Sequence, residues 1–182
     1  MLVITGTLFF FHHRGHGGHG VLLIKQKKLY VLCALCGEFP YLCSVMEKFE
    51  LHILGCGSAL PTTRHFATSQ VVNVRDKLYM IDCGEGSQLQ FRKSRLKFSR
   101  LNHIFISHLH GDHCFGLLGL ISTLNLLGRT AELHIHSPKG LEALFVPMLS
   151  FFCRQMTYQV LFHEFETKEP GMIYEDRSLT VT

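Results

Sequence analysis

The stretch Asn102-His103-Ile104-Phe105-Ile106-Ser107-His108-Leu109-His110-Gly111-Asp112-His113 decides how the rest of the chain is read. Its first half, centred on Ile-Phe-Ile, is the short apolar run of a strand buried on both faces. Its second half puts three imidazoles and one carboxylate into six consecutive residues. The donors come directly after the strand at its C-terminal end, where open α/β sheets place their ligands. Nitrogen donors of borderline softness with one hard oxygen suit zinc. One tetrahedral ion does not readily take all four donors from so tight a loop, whereas two ions roughly 3.5–4 Å apart can share them. The natural division gives His108 and His110 to one ion, and Asp112 and His113 to the other. Gly111 is expected to supply the backbone freedom that folds the loop back. The plainer alternative is a set of exposed loop histidines with Asp112 capping the next helix. It sits poorly with a loop that joins two strongly apolar elements.

Outward from this loop, short strands alternate with helices from Glu50 onward, which argues α/β. Leu51, Ile53 and Cys56 lead into a Gly-Cys-Gly-Ser turn, and residues 70–74 and 77–81 read as a hairpin through Arg75-Asp76. Residues 87–97 have helical spacing with basic residues on the polar side. Residues 114–127 are apolar nearly all round and long enough for a buried helix. Residues 131–136 read as a strand. Ser137-Pro138 then offers an N-cap and a first-turn proline for a helix from Lys139, which Pro147 should kink or end. Residues 158–165 and 179–182 read as strands, with a Pro170-Gly171 turn between them. Alternation puts His134 and His136 on one strand face. They are read as ordinary face residues, and His103, His163, His52 and His65 as isolated ones.

The chain has 182 residues, 47% hydrophobic and 18% charged, which suits one globular domain rather than a disordered segment. A formal net charge of +4 permits a nucleic-acid partner without requiring one. Seven cysteines, an odd number set mostly in apolar runs, fit free thiols in a reducing compartment better than a disulfide framework. No segment reaches the roughly 18 uninterrupted apolar residues of a spanning helix, and the apolar Leu8 to Phe11 precedes the first basic residue, the reverse of a signal peptide. The expectation is a cytoplasmic protein without a membrane span.

Residues 1–45 differ in character from the remainder of the chain. They hold a phenylalanine run, a His/Gly tract from His12 to Gly20 and the Cys33–Cys36 pair. Flexible glycine spacing offers no preorganised metal geometry there. The expected division is a leader at 1–45, an extension or start-site artefact, and a domain at 46–182 that begins afresh at Met46.

His-x-His-x-Asp-His after a strand resembles the signature of the metallo-β-lactamase fold superfamily. Closer likenesses flank it. Leu54-Gly55-Cys56-Gly57-Ser58-Ala59-Leu60-Pro61-Thr62 and Ile81-Asp82-Cys83-Gly84-Glu85-Gly86-Ser87-Gln88 resemble blocks of the ribonuclease Z family, tRNA 3′-processing endonucleases. Gly116-Leu117-Leu118-Gly119-Leu120 continues the likeness. Ser137-Pro138-Lys139-Gly140-Leu141 resembles the turn before that family's tRNA-binding arm, although Ser137 and Arg64-His65-Phe66 depart from its usual residues.

The resemblance implies a metallo-β-lactamase-like αββα sandwich, present here as an incomplete first half with mainly one mixed sheet and flanking helices. It implies a homodimer and a two-zinc endoribonuclease that removes the 3′ trailer from precursor tRNA. The products would be a 3′-hydroxyl on the tRNA and a 5′-phosphate on the trailer. In that chemistry Asp112 is both ligand and proton acceptor. Asp82 supports the ligand loop by hydrogen bonds, or is a plain strand-end turn residue. A candidate tRNA-binding arm runs over 138–171, expected to be mobile and loosely packed on its own. The family's remaining ligands come after a strand like that at 179–182, so the chain is expected to be an N-terminal portion. Arg92, Lys93, Arg95 and Lys97, with Arg100, could track a phosphate backbone, and a solvated helix face accounts for them equally well. Two rival readings remain: another hydrolase on the same fold, and a fragment that binds metal or RNA without turnover.

Overall fold

The computed structural model describes residues 7–10, 22–26, 49–60, 62–166 and 171–182. The His/Gly tract, the cysteines at 33, 36 and 43, Met46 and Pro170 lie outside them.

Two short strands come first, β1 (Thr7–Phe10) and β2 (Leu22–Gln26). Next along the chain are β3 (Phe49–Gly55), β4 (Ser69–Val74) and β5 (Lys77–Ile81). Helix α1 (Ser87–Lys93) and a 3-10 turn at Phe98–Arg100 lead to β6 (Leu101–Phe105). The loop after β6 enters α2 (Gly111–Cys114) and α3 (Leu117–Leu126), then β7 (Leu133–Pro138). Helix α4 (Leu141–Phe152), β8 (Val160–Phe165), β9 (Tyr174–Glu175) and β10 (Leu179–Val181) complete the order. One sheet runs β3-β4-β5-β6-β7-β8 and the other β1-β2-β10-β9.

The hairpin read at residues 70–81 is present, and its turn residues Arg75 and Asp76 have φ of 52° and 63°. Both central residues left-handed is the type I′ geometry that matches strand twist. From β5 to β8 the pairing becomes parallel. The α/β alternation thus builds a mixed sheet, as the sequence pattern requires.

Strand alternation divides the apolar residues between two cores. Val71, Leu78, Met80, Ile104 and Ile135 pack against Phe91, Leu117, Leu120, Ile121, Leu141 and Phe145 of the helices. Val72, Val74, Tyr79, Ile81 and Phe105 face the other way, onto Leu179 and Val181 of β10. The central sheet is covered on both faces, which is why β6 reads as a continuous apolar run.

Three local expectations give way. Helix α1 stops at Lys93, and Arg95 takes a φ of 55° soon after, so the helical spacing read to residue 97 overran the helix. Ser137 and Pro138 end β7 instead of opening a helix; the residue capping α4 is Gly140, at φ 107°. Pro147 lies inside α4, which continues to Phe152. The burial of Leu141, Phe145 and Leu149 in one stripe holds that helix together despite its missing N–H. Helix α4 is therefore docked on the core, not loose. Only its outer face, with Leu144, Phe151 and Phe152, stands exposed.

Candidate metal centre

The loop from Ser107 to His113 leaves β6 and re-enters the fold at α2. His110 occupies the N-cap position of α2 in an extended conformation, with Asp112 and His113 in the helical turn beyond it. The rings of His108 and His110 are 4.6 Å apart and those of His108 and His113 3.8 Å. His113 is buried, and its Nε2 lies 3.5 Å from Oδ2 of Asp112. The four donors read from the sequence are thus brought together. Gly111 has no left-handed φ, so the loop does not use its torsional freedom; a Cβ there would sit 2.3 Å from the exposed Phe115 ring, which would have to turn aside.

Asp82 stands at the end of β5, beneath the loop. Its φ of 55° puts a non-glycine residue in the left-handed region, a strained conformation that surrounding contacts must hold. Its N–H donates to the Phe105 carbonyl at 2.8 Å, and the N–H of Cys83 to the His113 carbonyl at 2.7 Å. The carboxylate accepts the Ser107 N–H on Oδ1 at 2.8 Å and lies 2.7 Å from Nδ1 of His113 through Oδ2. The Ser107 hydroxyl adds contacts of 2.9 and 3.0 Å to the two oxygens. Neither of the rival sequence readings for Asp82 included Ser107, which the sequence marked only as part of a motif.

The turn fits so closely that side chains are excluded. A Cβ on Gly84 would meet the Asp112 carbonyl oxygen at 2.3 Å and the Ala67 side chain at 2.6 Å. The glycine lets the ligand loop rest directly on the Asp82–Gly84 turn.

Among the described residues, no group of three or more His, Cys, Asp and Glu side chains stands in a ready ion-holding arrangement. The donor chemistry nonetheless fits a zinc-type ion. A carboxylate only accepts, so the contact with Asp82 commits Nδ1–H of His113 and leaves its Nε2 as the ligating atom. Burial pushes the thiols nearby up, Cys83 to about 12 and Cys114 to about 11, so both are protonated at neutral pH in the metal-free protein.

The family model described as Anti-Pycsar protein Apyc1 matches residues 49–150, more than half of the chain. Ribonuclease Z of Bacteroides thetaiotaomicron is 82% identical over 137 residues, which are 75% of this chain and 43% of that protein. Ribonuclease Z of Parabacteroides distasonis is 62% identical over 136 residues, 75% of this chain and 45% of that protein. The chain belongs to the ribonuclease Z family. The Apyc1 match, which covers the ligand loop, sets it as well in the sequence family that model describes. Among solved structures, human tRNase Z, short form, superposes with a TM-score of 0.59 at 36% identity, over 63% of this chain and 44% of that one. The long form RNase Z from yeast gives 0.53 at 22% identity over 68% and 19%, a likeness of fold alone. The metallo-β-lactamase fold is thereby confirmed. The chain spans under half the length of the ribonuclease Z relatives it matches.

In this ribonuclease Z-family chain His103 and His163, read as isolated, meet His136 and His134, read as ordinary face residues. His103, His134, His136 and His163 come from three adjacent parallel strands, and register alone makes them neighbours. Nδ1 of His103 is 3.3 Å from Nε2 of His136, and Nδ1 of His134 is 3.0 Å from Nε2 of His163. The Tyr174 hydroxyl reaches Nε2 of His103 at 3.2 Å from β9. These contacts belong to the side of the sheet away from the helices and are separate from the ligand loop.

Arg92, Lys93, Arg95 and Lys97 are exposed at the end of α1 and just after it. Arg100 instead pairs with Asp76 at 2.8 Å. No helix among the described residues is long and apolar enough to cross a membrane.

Proposed function

We propose that this chain carries the ligand-loop half of a zinc-dependent endoribonuclease that removes the 3′ trailer from precursor tRNA. The tRNA would keep a 3′-hydroxyl and the trailer a 5′-phosphate. The observation that carries the reading is the Asp82–His113 contact beneath three clustered imidazoles and Asp112, in a chain 82% identical to a ribonuclease Z over its matched part. His108 and His110 would hold one zinc ion, Asp112 and His113 the other. Bound zinc supplies a hydroxide nucleophile at neutral pH and offsets charge on the phosphate oxygens. Asp112 takes up the proton at its carboxylate, while Asp82 holds His113 in the ligating tautomer. Arg92, Lys93, Arg95 and Lys97 would lie along the tRNA backbone. The segment 138–171 is the proposed substrate arm, with the outer face of α4 left open. We place the protein in the cytoplasm, as a homodimer in its full-length form.

Four donors do not complete two zinc sites. That observation favours a second reading for the chain taken alone, in which it binds metal or RNA without turnover. The test is trailer cleavage of a precursor tRNA with zinc, by the chain and by a version extended to the length of its relatives. Cleavage by the extended form, abolished by Asp112→Ala, is expected. Turnover of a thioester or lactam with the tRNA left intact would replace the ribonuclease reading by another hydrolase of this fold.

A further inference from the structure

We propose that Ser107 is a positioning residue of the ligand loop, through which the single carboxylate of Asp82 sets the tautomers of both His113 and His108. The proposal rests on the metal reading above for its purpose, though not for its geometry. The Ser107 hydroxyl lies 2.9 and 3.0 Å from the two oxygens of Asp82, 3.1 Å from Nδ1 of His108 and 3.3 Å from Nδ1 of His113.

Proton counting fixes the directions. An ionised carboxylate has no hydrogen to give, and a hydroxyl has one. Were that hydrogen turned toward His108, the serine oxygen would present lone pairs to two carboxylate oxygens at hydrogen-bond distance, which is repulsive. The hydroxyl therefore donates to Asp82 and accepts from a ring nitrogen. Nδ1 of His113 is already committed to Asp82 at 2.7 Å. The acceptor side of Ser107 is thus filled by Nδ1–H of His108, leaving the His108 Nε2 lone pair for an ion. A serine immediately before the first ligand can do this because β6 ends there, with the Ser107 N–H anchored on Asp82 at 2.8 Å. The backbone bond fixes the side-chain origin, and the hydroxyl then reaches three partners without further adjustment.

Removing the hydroxyl takes away the acceptor for Nδ1–H of His108 while leaving the Asp82–His113 contact in place. Losses of hydrogen-bond partners behind metal ligands lower metal affinity about 10–100-fold. Threonine keeps the oxygen.

The experiment uses the full chain and two readouts. Nitrogen–proton correlation spectra of the metal-free protein report which nitrogen of His108 carries the proton. Zinc competition against a chromophoric chelator reports affinity. Wild type should show the Nδ1–H tautomer at His108. Ser107→Ala should show a mixture, with zinc affinity lowered about 10-fold or more. Ser107→Thr should restore both. An Nε2–H tautomer at His108 in the wild type, or a Ser107→Ala protein with unchanged tautomer and zinc affinity, overturns the proposal. Absence of zinc binding in a wild type that shows the Nδ1–H tautomer would count against the metal reading instead.

Discussion

Nδ1 of His113 lies 2.7 Å from Oδ2 of Asp82, although 31 positions separate the two residues along the chain. The contact spans from the end of β5 to α2, where the ligand loop closes, and both side chains are buried. One carboxylate thereby fixes a ring that the loop could not orient by itself.

Asp82→Asn keeps the shape and removes the charge. The amide can still accept from His113 through its oxygen, but it no longer gives Ser107 and the His113 ring a shared charged acceptor. Zinc affinity should fall about 10–100-fold, while the far-ultraviolet spectrum stays that of the folded chain. Chelator competition measures it; unchanged affinity would mean that Asp82 is only a turn residue.

Gly84→Ala should be among the most damaging single-methyl additions. The new Cβ meets backbone on one side and the Ala67 side chain on the other, so the loop must move. A loss of about 1–3 kcal/mol in urea unfolding is expected, with weaker zinc binding. Gly171→Ala is the control: nothing lies within 4 Å and its φ is not left-handed, so stability should hold to within about 0.5 kcal/mol.

Acid should loosen the sheet face that carries the histidines. Burial, and then His134 beside it, hold His103 down to about 4; burial, and then His103, hold His136 down to about 3. His134, His163, Tyr174, Tyr79, Lys77 and Asp176 share that neighbourhood. The unfolded chain protonates these rings near pH 6.5 and the folded chain does so only lower. Their contribution is therefore complete above about pH 6.5 and shrinks as the pH falls toward 4 and 3. At pH 5 the loss is about 2 kcal/mol for each such ring, read as a drop in the urea midpoint. His136→Phe should lose less between pH 7.5 and 5 than wild type does. Equal losses in the two proteins would exclude His136 as the group responsible.

The exposed cations after Phe91 make a salt-dependence prediction. Replacing Arg92, Lys93, Arg95 and Lys97 by alanine should reduce the slope of log affinity against log salt for precursor tRNA, by up to about 3 if all four touch phosphates. Arg100→Ala should change it little, because that guanidinium is engaged by Asp76. An unaltered slope in the quadruple variant would leave these residues as a solvated face.

What the sequence made legible was whatever lies close along the chain. His108, His110, Asp112 and His113 share six positions, so their chemistry could be read without a fold. The Arg75-Asp76 turn and the apolar run of β6 were legible for the same reason. Contacts made by register were not. His103, His134 and His163 sit on three different strands, and nothing in a linear pattern says that parallel pairing will stack them. The Ser107–Asp82 link is hidden likewise, since it depends on where β5 and β6 end relative to one another. Ser137-Pro138 misled because the local start signal for a helix is the same pair of residues that can close a strand. Pro147 misled because a stripe of buried residues outweighs one missing hydrogen bond.

The left-handed backbone of Asp82 has a consequence for how this molecule can change. Glycine would relax the strain at that position, but it would also leave the Ser107 N–H and the buried His113 ring without their acceptor, a larger loss than the strain relieved. The same exchange deletes the carboxylate that orients His113. The bent backbone and the bonds it aims are therefore kept or lost together, so an exchange of this one residue is expected to loosen the turn and the ligand loop in a single step.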